Sequence, residues 1–123
     1  MEFKSLYPRL VVDGADKALD FYVAAFGAKV LERHEHDGKV VHAMVGIGDM
    51  QFAVKDAGGG DQAPSGVVPV IMAVYVTDVD ALAQQMLDAG ATVIYPVDDQ
   101  YYGERAGRLG DPFGHQWMIA QKP

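Results

Sequence analysis

The sequence runs through one pattern twice, and that repeat limits the possible folds more than any other feature. In "DGADKALDFYVAAFG", Leu19, Tyr22, Val23 and Phe26 fall at i, i+3, i+4 and i+7, the spacing of one apolar helix face. Asp13 is placed to cap the first turn and Gly27 to stop the last. In "DVDALAQQMLDAG", Val79, Leu82, Ala83 and Met86 repeat the spacing between a capping Asp78 and a stopping Gly90. The flanks repeat as well. "LVV" precedes the first helix and "VYV" the second, and "FGAKVLE" and "AGATVIY" follow them. "GIGDMQFAV" then parallels "GRLGDPFGHQWMIA", with Gly110-Asp111 as the second copy of the Gly48-Asp49 turn and Trp117 in the closing strand. Each half reads strand, helix, three strands. In the first half, "ERHEHDGKVVHAMVG" predicts a hairpin around Asp37-Gly38. A stretch rich in Gly and Pro, "AGGGDQAPSG", separates the halves. The expected organisation is one domain: module one 1–57, linker 58–66, module two 67–123.

Two amphipathic helices and about eight strands make an α+β chain. The longest apolar run, "VVPVIMAVYV" from Val67 to Val76, has the character of a strand buried on both faces and is half the length of a membrane span. Its second face must then meet a cavity, a ligand or another subunit. The net charge of -7 argues against nucleic acid or an anionic membrane as partner, and it is compatible with a cationic ligand. The absence of cysteine excludes disulfides, thiolate nucleophiles and Cys-based zinc sites. "MEFKSLYPRL" lacks the apolar core of a signal peptide, so a cytoplasmic location is expected.

Catalytic constellations are sparse. Ser5 and Ser65 have no His and Asp nearby in sequence, and "AGGGDQAPSG" lacks the ending of a phosphate-binding loop. His34 and His36 share a strand face beside an exposed turn and are expected at the surface. His42 and His115 have the pattern of packed or surface histidines.

"LVVDGADKALDFYVAAFGAKVLE", "VTDVDALAQQMLDAGATV" and "YYGERAGRLGDPFGHQWMIA" resemble the vicinal oxygen chelate superfamily, the glyoxalase, bleomycin-resistance and extradiol-dioxygenase group. The resemblance covers nearly the whole chain. It implies paired βαβββ modules whose curved sheets form a cup, and a homodimer. Metal-using members place a ligand at four positions, which fall here on Tyr7, Gln51, Ile71 and Met118; a one-residue slip brings in Pro8, Phe52, Met72 or Val70, and Trp117 or Ile119, and the site is no better. Only Gln51 offers a useful oxygen, so neither a metal nor another cofactor is expected. The implied site is an apolar, aromatic pocket of Tyr7, Ile71, Tyr75 and Met118 with Gln51 and Arg9 as sparse polar groups. At its mouth, in "DDQYYGERAG", Tyr101 and Tyr102 are placed to stack on a planar ligand and Arg105 or Glu104 to orient it. The function that follows is metal-free binding of an aromatic antibiotic or natural product. A metal-independent enzyme of natural-product metabolism and a metal-dependent glyoxalase or dioxygenase are the alternatives.

Overall fold

The computed structural model describes residues 1–68 and 70–123. The elements follow the expected order: β1 (Arg9–Val12), α1 (Ala15–Phe26), β2 (Lys29–His36), β3 (Lys39–Ile47), β4 (Met50–Asp56), β5 (Ile71–Tyr75), α2 (Val79–Ala89), β6 (Thr92–Asp99), β7 (Arg105–Gly110) and β8 (Gln116–Gln121). They form two four-stranded sheets, ordered β1-β4-β3-β2 and β5-β8-β7-β6. The first strand of each module pairs parallel with the last, and the other pairs are antiparallel. Asp37 and Gly38 form the predicted hairpin turn, both with positive φ, as that tight connection requires.

The expected cup is not formed. Among the described residues no strand of one sheet is hydrogen-bonded to a strand of the other, and neither sheet closes or curls strongly. The physical reason lies in the core. Each sheet turns its helix-covered face toward one shared apolar cluster containing Leu10, Val45, Phe52, Val54, Leu109, Trp117 and Ile119 together with both helices. The opposite sheet faces then point outward. β5 shows the result. It covers only Ile71–Tyr75, and its burial alternates, with Ile71 41% and Tyr75 46% exposed. Apolar residues lie on both its faces, as predicted, but only one face, with half-buried Met72 and Val74, packs against the core; Pro69, in the same apolar run, lies outside the described residues.

Both helices take their N-terminal support from the end of their own module. The N-cap of α1 is Gly14, in the left-handed region, with no side-chain cap, so Asp13 does not serve as expected. Asp56 at the end of β4 serves instead: Ala15 N–H donates to Oδ1 and Val40 N–H to Oδ2, each at 2.8 Å. In module two the first helical N–H, of Val79, donates to Gln121 Oε1 at the end of β8, at 2.9 Å. There Asp78 also caps as predicted, accepting from Ala81 N–H. The α1 face is rotated from the expected one: Phe21 is buried and Val23 is 42% exposed.

Asp111 joins the modules. Tyr22 Oη donates to Oδ2 at 2.7 Å and Trp117 Nε1 at 2.9 Å, while Phe113 N–H and His115 N–H donate to Oδ1. Burial first, and then the Asp111 charge, push the Tyr22 hydroxyl pKa far above its ordinary value, so it stays a donor. Around it, Trp117 packs on Phe26 at 4.7 Å and on Phe52 at 5.5 Å between ring centroids. Among the described residues no helix is long and apolar enough to cross a membrane.

Two stability measurements check this framework. Tyr22→Phe removes one charge-assisted bond and is expected to cost ~2 kcal/mol in denaturant unfolding, whereas Asp111→Ala strands buried donors and is expected to cost ~4 kcal/mol or more. For Asp56, burial opposes the charged form, but the N–H groups of Ala15 and Val40 and the charge of Lys39 outweigh it, holding the carboxyl below its ordinary 3.8. A lowered folded pKa means stability present at higher pH and lost as pH falls through the folded value. Asp56→Ala is therefore expected to cost ~1 kcal/mol at neutral pH. Melting curves of variant and wild type are expected to converge as pH drops below about 4.

Candidate functional site

Helix capping fixes how the two modules correspond. Ala15 and Val79 each begin a helix, and Asp56 and Gln121 each brace one. Counting back from these anchors superposes Phe52 on Trp117, Ala53 on Met118 and Gln51 on Gln116. Strand register agrees, since Arg9 pairs with Ala53 and Ala73 with Met118. The counterpart of Met118 is thus Ala53, while Gln51 matches Gln116. The turns explain the offset. Two residues separate β3 from β4, but Asp111 to His115 separate β7 from β8.

The outward face of the first sheet is polar. Arg9 reaches across β4 to β3, donating Nη2–H to Val41 O at 2.8 Å and meeting His42 Nδ1 at 2.9 Å. Its register partner Ala53 presents only a methyl there and is fully buried. His34 stacks near His42, with ring centroids 6.1 Å apart. The outward face of the second sheet is largely apolar: Ile71, Ala73 and Tyr75 on β5 lie beside Met118 and Ala120 on β8. Where the modules adjoin, a cleft of about 260 Å³ opens, with Phe52 and Trp117 among its walls and Pro8, Gln51, Met72 and Tyr75 around them.

Among the expected site residues, Gln51 and Tyr75 meet at this cleft. Ile71, Tyr75 and Met118 share the outward face of the second sheet. Tyr7 is half-buried just ahead of β1. Arg9 borders a different groove, of about 460 Å³, where Pro64, Val67 and Val70 run beside β1. Tyr101 and Tyr102 stand on the β6–β7 turn with their rings edge to face, Tyr101 almost fully exposed. Arg105 is engaged elsewhere, with Nε and Nη2 on Asp80 and Nη1 on Asp99. Those bonds push its pKa up. Tyr75 Oη donates to Glu104 Oε2 at 2.9 Å, and that bond raises the phenol's pKa. His115 is structural: its backbone N–H binds Asp111, and its Nε2 lies 2.9 Å from Val11 O. Phe52, Met72 and Trp117, which wall the cleft, enter the sequence reading only through a one-residue slip of the four-position alignment. Matching the helix caps rather than the turns would have found the Phe52–Trp117 pair.

The donor set does not fit a divalent cation. Tyr7, Ile71 and Met118 supply no hard, charged ligand, and Ala53, the counterpart of Met118, supplies none. Among the described residues no group of three or more His, Cys, Asp or Glu side chains is placed to hold a metal ion.

Two βαβββ modules on one core, with an apolar outward face and a cleft at their junction, define a glyoxalase-type fold. The chain belongs to the Glyoxalase/Bleomycin resistance protein/Dioxygenase superfamily, whose family model matches residues 5–119. An uncharacterized protein of Mycobacterium bovis is 44% identical over 125 residues, covering 95% of this chain and 82% of its own length. Among solved structures, TioX from Micromonospora sp. ML1 is 25% identical with a TM-score of 0.79, covering 98% of this chain and 100% of its own. A glyoxalase/bleomycin resistance protein/dioxygenase family enzyme from Burkholderia phytofirmans is 17% identical with a TM-score of 0.81, covering 95% and 97%.

Proposed function

We propose that the protein is a metal-independent binder of a planar aromatic small molecule, an antibiotic or natural product held unchanged in the cytoplasm. The observation that carries this reading is the pairing of an aromatic-walled cleft with a largely apolar sheet face around Tyr75. Apolar walls with a few polar groups suit a ligand whose recognition rests on stacking and burial. Gln51 and the Tyr75–Glu104 pair supply those polar groups. Tyr101 and Tyr102, two to three residues from Glu104, form the rim, and Tyr7, Ile71 and Met118 extend the floor. Arg9, held by His42, and Arg105, held by Asp80, frame the site without entering it. The protein acts as a homodimer in this proposal, because half-exposed Ile71 and Tyr75 and open sheet edges invite a second copy.

Thermal denaturation against a panel of aromatic antibiotics and metabolites tests the binding. A true ligand raises the melting temperature and is recovered unchanged, while divalent metal leaves the temperature unmoved. Tyr75→Ala is expected to weaken binding by ~1 kcal/mol, the worth of a stacked ring beyond its area. Conversion of the ligand without metal establishes the enzyme reading instead, and a metal-dependent shift overturns metal independence. Sedimentation at tens of micromolar protein is expected to show a dimer; a monomer removes the homodimer from the proposal.

A further inference from the structure

On the largely apolar outward face of the second sheet, Arg108 has no carboxylate within ion-pair distance among the described residues; a second cation, Lys122, lies over the Tyr75 ring, 5.3 Å from its centroid. Arg108 stands in a cross-strand row that spans all four strands: Ala73 on β5, Met118 on β8, Arg108 on β7 and Tyr95 on β6. A guanidinium carries five N–H donors. Among the described residues this one makes a single hydrogen bond, from Nη1 to Gln116 Oε1 at a long 3.4 Å. Its Nε is enclosed and has no partner. The Tyr95 ring lies against it, with the guanidinium carbon 5.5 Å from the ring centroid. The other arginines are answered: Arg33 and Arg105 each pair with two carboxylates, and Arg9 binds His42 and Val41 O. In a chain with 17 acidic side chains and 10 basic ones, an arginine on an apolar face with no acid within ion-pair distance among the described residues stands apart.

We propose that Arg108 anchors a carboxylate on the aromatic ligand, which makes the ligand class an aromatic acid. This rests on the aromatic-binder reading and sharpens it. The ligand's ring lies over Met118 and Ala73 toward Tyr75, and its carboxylate takes the Nη edge of the guanidinium. A planar carboxylate matches the two parallel N–H groups of that edge, and partial exclusion of water by Met118 and Tyr95 strengthens the attraction. Gln116 stays beside Nη1 and steadies the fork. The net charge of -7 alone admits a cationic ligand. The side chain on the face selects an anionic one.

The test uses two probes of nearly equal shape, naphthoate and its neutral amide, naphthamide, titrated calorimetrically into the full chain. Wild type is expected to bind naphthoate about tenfold more tightly, as hydrogen bonds to a charged group imply, with the preference shrinking as salt rises. In Arg108→Met the ratio of the two affinities is expected to fall to about one, and in Arg108→Lys to an intermediate value, because a lysine keeps the charge and loses the fork. Equal binding of both probes by wild type overturns the proposal without recourse to any variant, so a misfolded Arg108→Met does not protect it. If wild type binds neither probe, the aromatic-binder reading falls with it. If Arg108→Met keeps the naphthoate preference but weakens self-association in sedimentation, the acid that answers Arg108 belongs to a second copy, and the ligand proposal is overturned.

Discussion

The carboxylate of Asp111 is the point on which the two modules depend. It is nearly buried, and each oxygen has two donors: Tyr22 and Trp117 on one, the N–H groups of Phe113 and His115 on the other. A buried charge is tolerable only when its acceptor positions are filled by well-directed donors, as these are. Tyr22 comes from the helix of module one; the other three come from the β7–β8 turn and β8 of module two. The bond therefore sets the position of α1 against the second sheet, and with it the packing of Phe26, Phe52 and Trp117. His115 extends the same turn to β1 through Val11 O. The junction cleft inherits its aromatic walls from this arrangement.

The repeat itself was legible in the sequence, because helical spacing and strand alternation are local patterns that survive without tertiary information. Gly27 and Gly90 were readable as helix stops, and Asp37-Gly38 as a turn, for the same reason. Asp13 misled because a cap can come from far along the chain: Asp56 lies 41 residues from the N–H it accepts. The direction in which the sheets face was hidden too. Alternation in β5 shows two apolar faces but does not say which one meets the core. The equivalence of Ala53 and Met118 was hidden by loops of different length, since turn motifs are a poorer ruler than hydrogen-bonded register. Arg108 drew no attention in the sequence because its distinction is the absence of an acidic neighbour, which only folding reveals.

The two modules have diverged unequally across their sheets. On the core side, equivalent positions stay large and apolar, as with Phe52 and Trp117 or Val54 and Ile119. Packing against a common core leaves little latitude there. On the outward side the constraint is absent. Arg9 and His42 make the first face polar, and Ile71, Tyr75 and Met118 make the second apolar. One architecture thus presents two surfaces of different chemistry, and any ligand that meets the chain meets them unequally.

The strand-end braces of the helices have a kinetic meaning. Asp56 and Gln121 sit on the last strands of their modules, so neither helix start is completed until the whole module has been traversed and its first and last strands have paired. The β2–β3 and β3–β4 hairpins close short loops and can form early, but the parallel β1–β4 pair closes a long one. Each module is consequently a unit that finishes at its C-terminal strand. A chain severed in the linker keeps α1 with its support, whereas one severed between β3 and β4 separates that helix from Asp56. Nascent chains emerging in order would hold the first helix unsupported until β4 appears, and would reach Asp111, which locks it to the second module, only after β7 has emerged.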